Sequence, residues 1–314
     1  MRESERSSQR GSSAAAPAGR RRRRVRYGAA LLTLLAVVGY VTFRTLTGAA
    51  TECTVEANGE RVALQPEQAA NATTIGAVAS SRDLPERALA IALATAMQES
   101  GLRNLRDGDR DSLGLFQQRP SQGWGTAQQI VDPVYSANEF FDQLVKIPGY
   151  ADLPLTVAAQ RVQHSGYPQA YAKREGDASV LASALSGRVP SLTCRVVPDE
   201  GAGNAAAVRA QLAREFGQQA LPQQDASQAS VDVPVVAPGA GASAGQASQH
   251  GWVLAQWAVA HAQALRIAEV SYAGRVWRAS HSGKGWVEDP AADAPGRPGA
   301  SGQPYEDVRI AVAR

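Results

Sequence analysis

From Ser80 to Ser100 the chain reads SSRDLPERALAIALATAMQES, a helical pattern with almost no polar face. Ala88, Ile91, Ala92, Thr95, Ala96 and Glu99 fall at i, i+3, i+4, i+7, i+8 and i+11 and share one side. Leu89, Leu93 and Met97 cover another. A helix that is apolar nearly all round is stable only when other elements surround it, so this spacing predicts a helix central to a core. Asp83 or Ser81 supplies the N-cap, Pro85 falls in the first turn, and Glu86 sits near the positive end of the dipole.

The same pattern places Glu99 partly buried at the C-terminal end. Desolvation and the negative end of the helix dipole both disfavour its ionised form. A carboxyl kept protonated near neutral pH is what a general acid for glycoside cleavage requires. The plainer alternative is a glutamate fraying into solvent at a helix end.

A polar, Gly-rich segment follows, LRNLRDGDRDSLGLFQQRPSQGWG. Gln117, Gln118, Gln122 and Trp124 suit a saccharide groove of amides with an aromatic platform. They equally suit a core Trp among surface amides. A two-carboxylate hydrolase needs a second acid roughly 5–10 Å from the first. Asp107, Asp109 and Asp111 are the candidates, although DGDRD also reads as a solvated turn or a weak calcium loop.

The charge balance separates the N-terminus from the rest. The formal charge of +3 is made of +7 in residues 1–26, where nine Arg face Glu3 and Glu5, and therefore −4 elsewhere. The basicity belongs to one short tail, so nucleic-acid binding is not expected. Arg20 to Arg24 and Arg26 directly precede the uncharged run YGAALLTLLAVVGYVTF, Tyr27 to Phe43. Its length is at the short end of the roughly 17–25 residues that span a bilayer. Positive flanks stay cytoplasmic, so the run predicts a single-pass, N-in anchor in the cell membrane with the remainder outside. The competing reading is a secreted protein, its signal peptide cleaved near Gly48-Ala49-Ala50.

Only two cysteines occur, Cys53 and Cys194. Outside the membrane an even pair is expected to form a disulfide, here tying together the two ends of one domain. Past Cys194, Asn204 to Gly217 reads as a short amphipathic helix. Gln218 to Gln249 is low-complexity Ala, Gln, Pro, Gly and Ser, expected to be a linker. From His250 a compact pattern resumes, with Trp252, Ala255, Val259 and Ala262 at helical spacing and IAEVSYAGRVW and YEDVRIAVA alternating like strands.

Glu99-Ser100 followed by Gly114-Leu115-Phe116-Gln117 resembles the soluble lytic transglycosylase and goose-type lysozyme family. That family carries Glu-Ser at the end of a core helix, a Gly-Leu-Met-Gln segment and a later Ala-Tyr-Asn-Ala-Gly segment. Phe116 replaces the Met. In VQHSG, Val162 to Gly166, Gln163 and His164 stand in for Tyr and Asn. GLFQQRPSQGWG is similar to the lysozyme-like module of actinobacterial secreted and membrane proteins.

The resemblance implies that Glu99 protonates the glycosidic oxygen between N-acetylmuramic acid and N-acetylglucosamine. The same carboxyl then acts as base while the muramoyl 6-hydroxyl closes a 1,6-anhydro ring. It also implies that Ser100, Gln117, Gln118, Trp124, Gln163, His164 and Tyr171 line or bind the glycan, although Tyr171 reads more simply as a packing residue. No cofactor or metal is implied.

The C-terminal segment is similar to the end of metal-dependent D-Ala-D-Ala peptidase-type domains, but a zinc-binding His is missing from YEDVRIAV. His250, His261 and His281 show no metal spacing, and His261 reads as a helix-surface residue. A small non-catalytic module, wall- or partner-binding, is expected. There is no Gly-x-Ser-x-Gly, Cys-His pairing or phosphate loop to support other chemistry.

The expected fold is a mainly α, lysozyme-like α+β ectodomain behind one transmembrane helix, with a small α+β domain after it. The expected layout is a basic tail (1–26), anchor (27–46), lysozyme-like domain (51–197), helix and linker (198–249) and C-terminal module (250–314). The expected function is peptidoglycan glycan-strand cleavage at the extracytoplasmic face of the membrane. The alternatives are a non-catalytic glycan binder and a two-carboxylate muramidase.

Overall fold

The structure is a computed structural model that describes residues 27, 31–39, 51–164, 168–197, 201–218, 221, 229–235, 243–290 and 307–314. Residues 1–50 and 51–314 form two separate units. In the first, 31–39 are helical and Leu31, Leu32, Leu34 and Leu35 are exposed. No helix among the described residues is long and apolar enough to cross a membrane. The expected span Tyr27–Phe43 and its Arg flank lie partly outside them.

The second unit mixes helices with two small antiparallel sheets, an α+β arrangement. It opens with the hairpin β1 (Glu52–Ala57) and β2 (Glu60–Leu64), turned at Asn58-Gly59, both with positive φ. Strand β3 (Leu192–Arg195) lies on the other side of β1, giving the order β2-β1-β3. Cys53 and Cys194 face each other in the β1–β3 register and form the disulfide.

Between the strands run α1 (Pro66–Ser81), α2 (Glu86–Glu99), the single turn α3 (Ala127–Ile130), α4 (Pro133–Leu144), α5 (Leu155–Gln163) and α6 (Glu175–Leu185). A 3₁₀ segment, Pro168–Arg174, precedes α6. The central position of α2 follows from its composition. Every residue from Ala88 to Ala96 is buried, and its alanines let α1, α5 and α6 pack closely around it. Its N-cap is Pro85, two residues after Asp83 and four after Ser81. Asp83 instead takes a left-handed conformation (φ 51°) in the tight turn from α1, where it cannot cap.

Helix α7 (Ala205–Phe216) matches the amphipathic reading and is capped by Asn204, whose Oδ1 accepts from Ala206 N and Ala207 N. The expected linker holds a strand, β4 (Ser230–Pro234), built on the alternation of SVDVP, and the start of helix α8 (Ala244–Ala260). After the short α9 (Ala262–Leu265) come β5 (Ile267–Tyr272), β6 (Arg275–Arg278), β7 (Val287–Glu288) and β8 (Asp307–Val312). The sheet order is β4-β8-β5-β6-β7.

Residues 250–314 are not set apart from 51–197. Helix α8 packs against α1 and β3, and its apolar residues join the same buried cluster as α2. Polar groups secure the seam. Gln256 Oε1 accepts from Ser191 N at 3.0 Å and Leu192 N at 2.8 Å, while Trp286 Nε1 donates to Leu192 O at 2.8 Å. These bonds satisfy one edge of β3, which leaves no unpaired strand border at that point. The sequence patterns of the two halves are distinct, but the halves share one core.

His261, expected on a helix surface, is 8 % exposed and stacks on Trp257. Its Nδ1 lies 2.9 Å from Trp257 O, and its Nε2 faces the buried Glu215 at 3.7 Å. Glu215 also accepts from Trp257 Nε1 (2.7 Å) and Gln211 Nε2 (2.6 Å).

Candidate active site around Glu99

Helix α2 stops at Glu99 because Ser100 leaves helical geometry and Gly101 follows with φ 64°. Such a left-handed glycine after the last turn is a common helix terminator. Two amides from α1 secure the exit: Gln68 Nε2 donates to Gly101 O and Asn71 Nδ2 to Leu102 O, both at 2.8 Å. Neither residue carries a chemical signature in the sequence. Their only trace is polarity inside an otherwise small, apolar helix.

The Gly-Leu-Phe-Gln segment comes to the same place. The Ser100 hydroxyl lies 2.7 Å from Leu115 O and 3.0 Å from Ala96 O, so its single proton is committed to main-chain carbonyls. Ser100 is buried and joins the helix end to the loop, whereas the resemblance implied a sugar contact. Leu115 and Phe116 are fully buried, with Phe116 stacked on Phe140 at 4.7 Å. Gly114 (φ 74°) permits this approach, since a Cβ there would meet Ile130 O at 2.5 Å.

Glu99 is half-buried. Burial raises its pKa above the usual carboxylate value, opposed by hydrogen bonds from Tyr171 and Gln163 that favour the charged form. The Tyr171 hydroxyl donates to Glu99 Oε1 at 2.6 Å. Tyr171 is fully buried, so it packs and holds the acid but offers no face to a ligand. Gln163, the last residue of α5, donates through Nε2 to Phe116 O at 2.7 Å. His164 caps α5 in a left-handed conformation (φ 49°) and is exposed.

The remaining expected groove residues divide. Gln118 is 2 % exposed, with Nε2 on Ser136 O at 3.1 Å, so it braces the loop from inside. Gln117 is half-buried with φ 48°, and its Nε2 reaches Gly114 O at 3.3 Å. Trp124 is partly buried against the core, and Gln122 is exposed.

Asp107 and Asp109 are exposed. Asp111 accepts from Ser121 N at 2.8 Å and from Arg119 Nε at 2.7 Å, and hydrogen bonding by the Ser121 side chain and backbone, then by Arg119, holds its carboxyl far below the usual carboxylate range. Its carboxylate is a clasp across its own loop.

A cavity of about 260 Å³ lies elsewhere, lined by Glu86, Arg188, His250 and the end of α1. Glu86 begins α2 and Glu99 ends it, so this cavity is roughly 20 Å from the carboxyl at 1.5 Å per residue. What converges at Glu99 is one partly buried carboxyl, two side chains that hold it, and two chain segments far apart in sequence. That arrangement can deliver a proton and take one back. The chain matches no family model and no curated protein sequence.

Proposed function

We propose that this chain cleaves peptidoglycan glycan strands between N-acetylmuramic acid and N-acetylglucosamine, with Glu99 as its acid and base. The observation that carries the reading is Glu99 itself, a carboxyl that burial keeps reluctant to ionise and that Tyr171 fixes in one orientation. A raised pKa favours the protonated form that proton donation to a leaving group demands.

In the first half of the reaction the Glu99 proton passes to the glycosidic oxygen, and the bond from that oxygen to the muramoyl anomeric carbon breaks. In the second half the muramoyl 6-hydroxyl bonds to the same carbon, and its proton goes to Glu99. A 1,6-anhydro end results, no water is consumed and the acid is restored. Once ionised, Glu99 is stabilised by the Tyr171 hydroxyl and the Gln163 amide, both of which favour the carboxylate. The order and spacing of Glu99-Ser100, Gly114 to Gln117 and Gln163-His164 along the sequence support the same reading.

Action at the outer face of a membrane, through Tyr27 to Phe43, is part of this proposal and rests on the Arg block beside an uncharged run. A glycan-binding protein that does not cut is the second reading, favoured by His164 standing exposed where the family carries Asn. Incubating the full chain with purified peptidoglycan separates the two. Soluble muropeptides, detected by mass spectrometry, support cleavage. Sedimentation with the polymer and no release supports the binder.

A further inference from the structure

The VQHSG segment departs from the family pattern at Gln163, and the departure falls beside the carboxyl. Gln163 ends α5, and its Nε2 donates to the carbonyl of Phe116, 47 positions away. Phe116 is fully buried and belongs to the same loop whose Leu115 carbonyl receives the Ser100 hydroxyl. One Nε2–H is therefore fixed on a rigid acceptor, which sets the plane of the amide and the direction of the second Nε2–H. That second hydrogen is the one left for Glu99, whose charged form Gln163 favours.

The Gln163 Oε1 is buried without a hydrogen-bond partner. A buried acceptor left unpaired costs about 1–3 kcal/mol. Turning the amide over would take both Nε2 hydrogens away from Phe116 O, so the unpaired oxygen is tolerated in exchange for a donor aimed at the acid.

We propose that Gln163 is a positioning residue for Glu99, a tethered amide that orients the carboxylate together with the Tyr171 hydroxyl. This rests on Glu99 being the proton-transfer group of the proposed reaction. It adds a role that the family's aromatic residue at this position could not fill in the same way, because a phenol has one donor hydrogen and a primary amide has two. Gln163 bridges two acceptors, Phe116 O and Glu99, and so couples the loop to the acid.

The test uses the full chain with ¹³C-carboxyl-labelled Glu and ¹⁵N-labelled Gln side chains, titrated by NMR. In the wild type, the Gln163 Nε2 signal should move with the same midpoint as the Glu99 carboxyl. In Gln163→Met, which keeps the volume and removes the donors, the Glu99 midpoint should move to higher pH. The alkaline limb of any muropeptide release should move with it, and turnover should fall roughly tenfold or more, as loss of a hydrogen bond to a charged group implies.

A Gln163 amide signal that stays flat through the Glu99 titration overturns the proposal, and needs no variant to fold. So does an unchanged Glu99 midpoint in a folded Gln163→Met chain. If the two signals titrate together but no muropeptide is released, the positioning contact stands and the cleavage reading fails.

Discussion

The hydroxyl of Tyr171 donates to Oε1 of Glu99 at 2.6 Å across 72 positions of sequence. Tyr171 sits in the 3₁₀ segment Pro168–Arg174, which packs on both α2 and α5. The acid is therefore oriented by a fully buried side chain whose position is fixed by the core. The bond is worth most when Glu99 is charged, because hydrogen bonds to ionised groups are roughly twice as strong as neutral ones.

Tyr171→Phe should therefore move the Glu99 midpoint further up, since burial remains and one donor that favours the carboxylate is gone. The loss of stability should be about 1.5–3 kcal/mol above the Glu99 midpoint and smaller below it. Urea unfolding at several pH values measures both. An equal loss at all pH values would mean that Tyr171 acts through packing alone.

Glu99→Gln tests the burial of the acid through stability. The folded-state pKa of Glu99 is raised, so the wild-type carboxyl contributes stability at pH below its unfolded value and loses it as pH rises through the folded value. Gln cannot ionise. The variant should match the wild type at low pH and become relatively more stable as pH rises from about 4.5. Unfolding midpoints across that range decide it, and a variant that is less stable at neutral pH contradicts it.

Legibility in the sequence tracked periodicity. Helix α2, α7 and the face of α8 carrying Trp252, Ala255 and Val259 were readable because each buries a stripe or a whole surface of apolar residues. Helix α1 escaped because its buried positions include the polar residues Asn71, Thr73 and Thr74, and the side chains of Asn71 and Thr73 bond to main-chain carbonyls within the core. Strand β4 is five residues inside a run of Ala, Gln, Pro and Ser, too short for composition to reveal. At the site, Glu99 was readable from its place at the end of an apolar helix. Its holders were not assigned as such. Tyr171 and Gln163 reach it only through tertiary folding, and the inward turn of Gln118 has no counterpart in spacing.

The cross-strand disulfide makes a further expectation. Cys53 and Cys194 close a loop of 141 residues. Constraint of the unfolded chain by a loop of that size is worth about 5 kcal/mol in the chain-entropy model, often less in practice. Cys53→Ala with Cys194→Ala should lower the urea midpoint accordingly. The shift should equal the effect of reductant on the wild type, and a reductant effect of zero would contradict it.

The Glu215–His261 pair predicts sensitivity to acid. Burial lowers the His261 pKa below 6.5, with Glu215 and the Trp257 carbonyl opposing. A depressed histidine contributes stability above its unfolded value and loses it as pH falls through the folded one. The wild type should therefore weaken from about pH 6.5 downward. His261→Phe, keeping the stack on Trp257, should lack that part of the slope. Glu215→Ala should cost about 3 kcal/mol or more, because it strands the Trp257 Nε1–H in the core and unpairs the partly buried Gln211 amide. Thermal melts between pH 4.5 and 8 read all three.

The chemistry turns on whether one carboxyl is enough. Glu99→Gln keeps shape and hydrogen-bonding capacity but cannot deliver a proton, and general acid–base assistance is typically worth about 10²–10⁴-fold. Muropeptide release should fall by at least that factor while binding to peptidoglycan persists. Asp111 is already fully engaged by Arg119 and Ser121. Asp111→Asn should therefore loosen the loop and cost far less than Glu99→Gln, and Asp109→Asn, at an exposed position, should cost less still. Product masses provide the independent check, since 1,6-anhydro ends are one water lighter than hydrolysed reducing ends. Wild-type release of reducing ends only, with Asp109 or Asp111 as indispensable as Glu99, would replace the single-carboxyl route by a two-carboxylate muramidase. Unaltered release from Glu99→Gln would remove Glu99 from the chemistry altogether and leave Tyr171 holding a carboxylate whose role is structural.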